Sequence, residues 1–181
     1  EFTPKGYYIR FADPEVLRVL LSKNIGDGTG ITTEVAESYT GNMAAFFQNN
    51  KVITRFDELE KFTSMTVIGS GFVQNATELE SIKFPPNITE TIWDSFRGAS
   101  KLAIDVSLPN LKTAGVRSFS QSGITKISNL GSLTAIPNSM CYSCKQLTSV
   151  TLPDVCVEIG ASAFQGCSAL TSINLDNIET F

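Results

Sequence analysis

The hydrophobic positions of this chain recur with a period close to 23 residues. The clearest copy runs Cys144-x-x-Leu147-x-x-Val150-x-Leu152 and returns as Cys167-x-x-Leu170-x-x-Ile173-x-Leu175, an offset of 23. Self-similarity at a fixed period of about 20–50 residues marks a solenoid, in which each repeat buries its apolar face on the next. From residue 65 onward a bulky anchor recurs at Phe72, Phe96, Phe119, Met140 and Phe164, in steps of 24, 23, 21 and 24. A leucine-type position follows at Leu79, Leu102, Ile124, Leu147 and Leu170, in steps of 23, 22, 23 and 23. Next comes a short apolar pair: Ile82/Phe84, Val106/Leu108, Ile127/Leu130, Val150/Leu152 and Ile173/Leu175. Its alternation is that of a strand. Pro85, Pro109 and Pro153 close three of these strands, since proline cannot donate to a ladder. An isoleucine four or five residues before the anchor marks Ile68, Ile92, Ile136 and Ile159, and Gly follows the first and last of these.

One such coil has apolar groups on every side and no partner within itself. Stacked coils bury one another and pair their short strands in parallel ladders, with strands about 4.8 Å apart. The pattern predicts about five coils of roughly 23 residues over 63–181. The third coil is irregular. It lacks the proline after Leu130, has Gln121 in the cysteine slot, and makes a short step to Met140, so a local distortion is expected there. The stretch Ile178 to Phe181 falls in mid-repeat, which predicts that the natural protein continues or that another chain covers this end.

Residues 1–62 carry a different pattern. Residues 1–9 read as an irregular lead-in. Asp13-Pro14-Glu15 starts a helix, with Asp as N-cap, Pro at the first helical position and an acid in the first turn. Thr32 or Thr33 caps a second helix, ended by Gly41. Met43 to Phe47 is an apolar patch that suits one more helical turn, Ile53 to Phe56 suits a short strand, and Asp57 caps a further short helix. The expected architecture is therefore an α+β repeat protein, with a small helical cap over 1–62 and a solenoid of short parallel strands over 63–181.

The loop Gly26 to Glu34 lies between two helices and has the outline of a calcium loop. With Gly28 as the central glycine, Asp27 and Glu34 fit two ligand positions, but Lys23 and Ile25 occupy two others and cannot ligate through their side chains. The alternative register, on Gly30, is no better. No metal is expected there.

Composition narrows the chemistry. The chain has 181 residues and a net charge of −4, which argues against nucleic acid or an anionic membrane as the main partner. No apolar run is long enough to span a bilayer. There is no histidine, so the commonest general base and the commonest zinc ligand are missing. Cys141-x-x-Cys144 has the spacing of a zinc or redox half-site, yet no histidine and no second such pair completes four ligands. Cys144 and Cys167 hold one slot in successive coils, where a small buried side chain suits a stacked ladder. A disulfide between them is geometrically conceivable and is not predicted. No catalytic residue, metal or cofactor is expected.

The pattern Cys-x-x-Leu-x-x-Ile-x-Leu-Pro-x-x-Val-x-x-Ile-Gly-x-x-Ala-Phe resembles the BspA-like, treponemal-type leucine-rich repeat of bacterial surface proteins. Cys144 to Cys167 and Cys167 to Leu175 carry it, as do Ile68-Gly69-Ser-Gly-Phe72 and Leu79-Glu-Ser-Ile82-Lys-Phe84-Pro85. The resemblance covers about two thirds of the chain. The stretch from Phe11 to Leu59 looks like the helical leader found before such repeats. The resemblance implies a non-enzymatic, secreted or surface-attached adhesion module whose leader peptide has been removed. Its partners would be a host or bacterial surface protein or a glycan. A structural spacer within a longer surface protein is the rival reading.

A partner would meet the outward residues of the strands: Ser81 and Lys83, Asp105 and Ser107, Lys126 and Ser128, Ser149 and Thr151, Ser172 and Asn174. Seven of these ten are Ser, Thr or Asn, a shallow polar surface suited to a glycan or a flat protein patch. The same residues would also simply keep an exposed sheet solvated, and the face has no Trp, Tyr or Arg of the kind that dominates tight interfaces. Trp93, the only tryptophan, sits beside the Phe96 anchor and is expected to pack.

Overall fold

The computed structural model describes residues 6–181. Helix α1 (Pro14–Ser22) begins where the sequence places it. The Asp13 carboxylate caps it by accepting from the Glu15 N–H at 2.9 Å. Val16, Val19 and Leu20 turn inward from α1. Helix α2 (Thr33–Ser38) is capped by Thr32, whose hydroxyl oxygen accepts from the Val35 N–H. It ends at Ser38 because Tyr39 is already extended, so Gly41 is not its terminator. The calcium-loop outline closes on itself. Asp27 accepts from the backbone N–H groups of Thr29 and Gly30 and from the Tyr8 hydroxyl, which holds its carboxyl well below the usual range.

Eleven short strands follow, and every pairing between them is parallel. On one side lie β1 (Arg55–Phe56), β3 (Ser81–Ile82), β5 (Asp105–Ser107), β7 (Lys126–Asn129), β9 (Ser149–Val150) and β11 (Ser172–Ile173). On another lie β2 (Val67–Ile68), β4 (Glu90–Thr91), β6 (Thr113–Ala114), β8 (Ala135–Ile136) and β10 (Glu158–Ile159). The chain is a leucine-rich-repeat solenoid with a small helical segment before it. Its core runs lengthwise, and Phe47, Phe56, Phe72, Phe96 and Phe119 are all fully buried.

The stacking starts earlier than the repeat signature. Ala45, Phe47 and Asn49 already donate their N–H groups to Ser70, Phe72 and Gln74, and β1 pairs with β3. Ile53 and Phe56, three apart, take the places that Leu79 and Ile82 hold one coil later. Residues 42–62 therefore lie in the ladder, where the sequence reading placed the cap. Asp57 opens a 3₁₀ turn (Asp57–Lys61) without capping it, and its carboxylate goes instead to Arg55 and Ser81.

Between the two strand layers each coil makes a tight corner with two left-handed residues four apart. These are Ala45/Asn49, Gly71/Asn75, Asp94/Gly98, Arg117/Gln121, Ser139/Ser143 and Ser162/Gly166. At the first five of these pairs both N–H groups point along the stack and donate to the next coil. The corner corrects the sequence register. The ladder residues between the paired positions are Val73, Phe96, Phe119, Cys141 and Phe164, in steps of 23, 23, 22 and 23. Phe72 and Met140, taken above as anchors, sit one place earlier, equivalent to Ser95, Ser118 and Ala163. Adjacent apolar residues concealed the slip. A similar slip affects Ile92. Thr91 fills the slot between Ile68 and Ala114 and is 1% exposed, while Ile92 is half-buried.

The distortion expected in the third coil is present, and a second, unexpected one lies in the coil before it. Val106 lies four positions after Leu102, against three in the other coils, and β3 and β5 do not pair. Conversely, Ile124 lies only two positions after Ser122, where Leu147 and Leu170 lie three after Cys144 and Cys167. Ser122, not Gln121, occupies the cysteine slot, with its hydroxyl 3.6 Å from the Cys144 sulfur. In β7 a bulge pairs Val106 with Ile127 but Ser107 with Asn129, leaving Ser128 without a partner.

Candidate binding surface

The sheet β5–β7–β9–β11 carries most of the residues that the sequence points to. Their surroundings divide them into two groups. Ser81 is held by the Asp57 carboxylate. Burial opposes ionisation of Asp57, but the Ser81 hydroxyl and the Arg55 guanidinium outweigh it and keep its pKa below the ordinary value. The Lys83 ammonium lies 3.8 Å from Glu60, and the Lys126 ammonium lies 3.8 Å from Asp105. Asn174 is engaged by the backbone. Its Oδ1 accepts from the Leu152 N–H at 2.7 Å, and its Nδ2 donates to the Leu152 carbonyl at 3.0 Å. It closes a strand end and is not free for a partner.

Ser107, Ser128, Ser149, Thr151 and Ser172 form the second group. Their hydroxyls bond to no other described side chain, and Ser107, Thr151 and Ser172 are exposed. A shallow cleft of about 260 Å³ opens at the far end of these strands, between Ser128, Asn129, Thr151 and Asp154. The β7 bulge forms one wall of it. The face thus offers a row of hydroxyls across four coils, with the Asn129 amide and the Asp154 carboxylate beside them at the cleft.

One feature corrects the sequence reading, which expected Trp93 to pack, and a second falls outside it. Trp93 is 60% exposed and does not pack inward. It stands on the outer corner one place before Asp94, with Val116 at the equivalent place one coil on. The Arg117 guanidinium grips the Asp94 carboxylate through two bonds of 2.9 and 3.1 Å, and Arg97 approaches the same group at 3.8 Å. The exposure of Trp93 follows from the same register slip that put Thr91 inside. The other feature is a polar notch lined by Ser100, Gln121, Ser122, Ser143, Lys145 and Gln146.

The four cysteines are free thiols. Cys144 donates to the Phe119 carbonyl at 2.9 Å and Cys167 to the Cys141 carbonyl at 3.0 Å, so they serve as small hydrogen-bonded core residues. The neighbouring Cys141 thiol and burial push the Cys144 pKa up to about 12, which keeps it protonated and unreactive. Among the described residues, no three His, Cys, Asp or Glu side chains are placed to hold a metal ion. No helix among them is long and apolar enough to cross a membrane.

The BspA type Leucine rich repeat region family matches residues 66–181 in six copies, and the chain belongs to that family. No curated protein matches. Two solved structures share the fold. A leucine-rich repeat protein from Eubacterium ventriosum is 17% identical with a TM-score of 0.61, the match covering 68% of this chain and 33% of that one. A leucine-rich repeat protein from Bacteroides ovatus is 20% identical with a TM-score of 0.52, covering 72% of this chain and 39% of that one. The matches span about a third to two fifths of those chains.

Proposed function

We propose that this chain is a non-enzymatic, extracellular binding module of a bacterial surface protein, and that it meets a partner protein through the β5–β7–β9–β11 face. The observation that carries this reading is the row of uncommitted hydroxyls at Ser107, Ser128, Ser149, Thr151 and Ser172, in contrast to the bonded Ser81 and Asn174. A protein that needed only to solvate this face could use charged pairs throughout. Here the charged pairs Lys83/Glu60 and Asp105/Lys126 stand toward one end. Family membership supports the reading, because short parallel strands stacked in a solenoid give an extended surface of fixed geometry.

The test is a binding screen of the whole chain against immobilised matrix proteins, bacterial surface extracts and cultured epithelial cells, with a triple variant Ser107→Arg, Ser128→Arg, Thr151→Arg beside it. Binding by the parent that the variant loses, at unchanged melting temperature, is the expected result. Equal binding by the variant would move the contact to another surface. No binding by either would favour a spacer that holds some other domain at a distance.

A further inference from the structure

The coil shortened between Ser122 and Ile124 leaves a dent in the flank of the solenoid. At Gly123 the chain takes a short cut, and its N–H bonds back to the Ala99 carbonyl at 3.0 Å. A side chain there has no room, because its Cβ would collide with the Ser100 carbonyl and stand 3.0 Å from the Leu102 nitrogen. The coils on either side keep their full length. Their residues Ser100, Ser143, Lys145 and Gln146 therefore rim a cavity of about 360 Å³, with Gln121 and the buried Ser122 from the short coil. The notch lies at the start of strands β5, β7 and β9, and the cleft at Thr151 lies at their far end.

The lining is chemically uneven. Ser100, Gln121, Ser143 and Gln146 make no side-chain hydrogen bond to another described residue. Lys145 ion-pairs with no carboxylate among the described residues, although Lys83, Lys101 and Lys126 each have one. The notch has no carboxylate and no aromatic ring. Apart from Ser122, whose hydroxyl meets the Cys144 sulfur, its hydroxyls, two amides and one ammonium are unspent, in a volume at the small end of ligand sites. Amides and hydroxyls match the hydroxyls of a sugar, and one compact ammonium matches a single carboxylate. A nucleotide would look for a stacking surface and a phosphate for a fork of arginines, and neither is present.

We propose that this notch binds one acidic sugar unit, a sugar carrying a carboxylate, with Lys145 on the carboxylate and Gln121, Ser143 and Gln146 on the hydroxyls. This is a small-ligand site separate from the sheet face, so either assignment can fail without the other.

The experiment is saturation-transfer NMR with titration of the whole chain, using glucuronate and N-acetylneuraminate as probes and glucose and acetate as controls. Saturable binding of at least one sugar acid, with both controls at least about tenfold weaker, is expected from one charge-assisted contact added to several neutral ones. Lys145→Glu should weaken it by about ten- to a hundredfold, Gln121→Ala by less, and Ser143→Trp should fill the notch and abolish it. Thr151→Arg on the sheet face should leave it unchanged. Melting temperatures confirm that each variant is folded. Failure of both acids to bind overturns the proposal. So does acetate binding as well as the sugar acids, or sugar-acid binding that survives both Lys145→Glu and Ser143→Trp.

Discussion

At Gly160 a single hydrogen atom decides how closely two coils can approach. Its N–H donates to the Ile136 carbonyl at 2.8 Å. A Cβ at this position would stand 2.5 Å from Asn138 Oδ1, 2.7 Å from Asn138 N and 2.8 Å from the Ile136 carbonyl oxygen. Two of these atoms are backbone and cannot swing away. Gly160→Ala should therefore push the last coils apart and cost about 1–3 kcal/mol, the usual range for overpacking. Gly28 is the contrast. It has a φ of +87° and nothing within 4 Å of its would-be Cβ, so Gly28→Ala should cost only backbone strain of about 1 kcal/mol. Urea melts of the two variants give the comparison, and an equal loss in both would show that the close approach at Gly160 is not the controlling contact.

The element that joins the helical segment to the solenoid turns on one carboxylate. Asp13 is 7% exposed; while one oxygen caps α1, the other accepts from both the N–H and the hydroxyl of Thr54, at 2.7 and 3.0 Å. Asp13→Ala removes the cap and takes the acceptor from the Thr54 N–H and hydroxyl, so it should cost about 1–3 kcal/mol, read as a drop in melting temperature with loss of α1 helicity. A pH effect belongs to the same junction. The Arg18 guanidinium, bonded at 2.6 and 2.7 Å, lowers the Glu15 pKa to about 2, and Asn50 adds to this. A depressed carboxylate stabilises the fold above its ordinary value of about 4.5, and that stabilisation is lost as pH falls from there toward 2. Melting temperature should thus fall through this window, and Glu15→Gln should flatten the fall. The start of α1 was legible in the sequence because Asp-Pro-Glu marks it by local chemistry alone. The first coil was not, since residues 42–62 have the coil geometry without the cysteine-leucine signature. The register was legible only to within one residue, because Phe72/Val73 and Met140/Cys141 are apolar at both places. At Phe72/Val73 the corner residues Gly71 and Asn75 carried the signal that separates the two places, whereas at Met140/Cys141 the corners are Ser139 and Ser143 and carry none. At the candidate surface the hydroxyl row was readable from strand alternation. The commitment of Asn174 to Leu152 and the notch behind Gly123 were not, as both depend on contacts between coils.

Across the whole molecule the stack is held unevenly. Phe47, Phe72, Phe96 and Phe119 form a continuous aromatic spine, with centroids 5.8 Å apart at the first step, 6.0 Å at the second and 4.9 Å at the third. Phe96 is its hub. It meets Phe72, Phe84 and Phe119, and it spans the place where β3 and β5 fail to pair. Beyond Phe119 the spine thins to Met140, Cys141 and Ala163, and β6 and β8 also fail to pair. In a repeat protein stability is roughly a sum over coils and their nearest-neighbour interfaces, so the weak interfaces set where it opens. Native-state hydrogen exchange in mild denaturant should show Cys141, Ser143 and Gly160 losing protection before Val73, Asn75 and Phe96. Phe96→Ala should cost about 3–5 kcal/mol and erase that order, because the interface it removes is the one that ties the halves together where the sheet does not. Simultaneous exchange of all six amides in the parent chain would mean that the stack opens as one unit and that the broken sheet pairings carry no weakness.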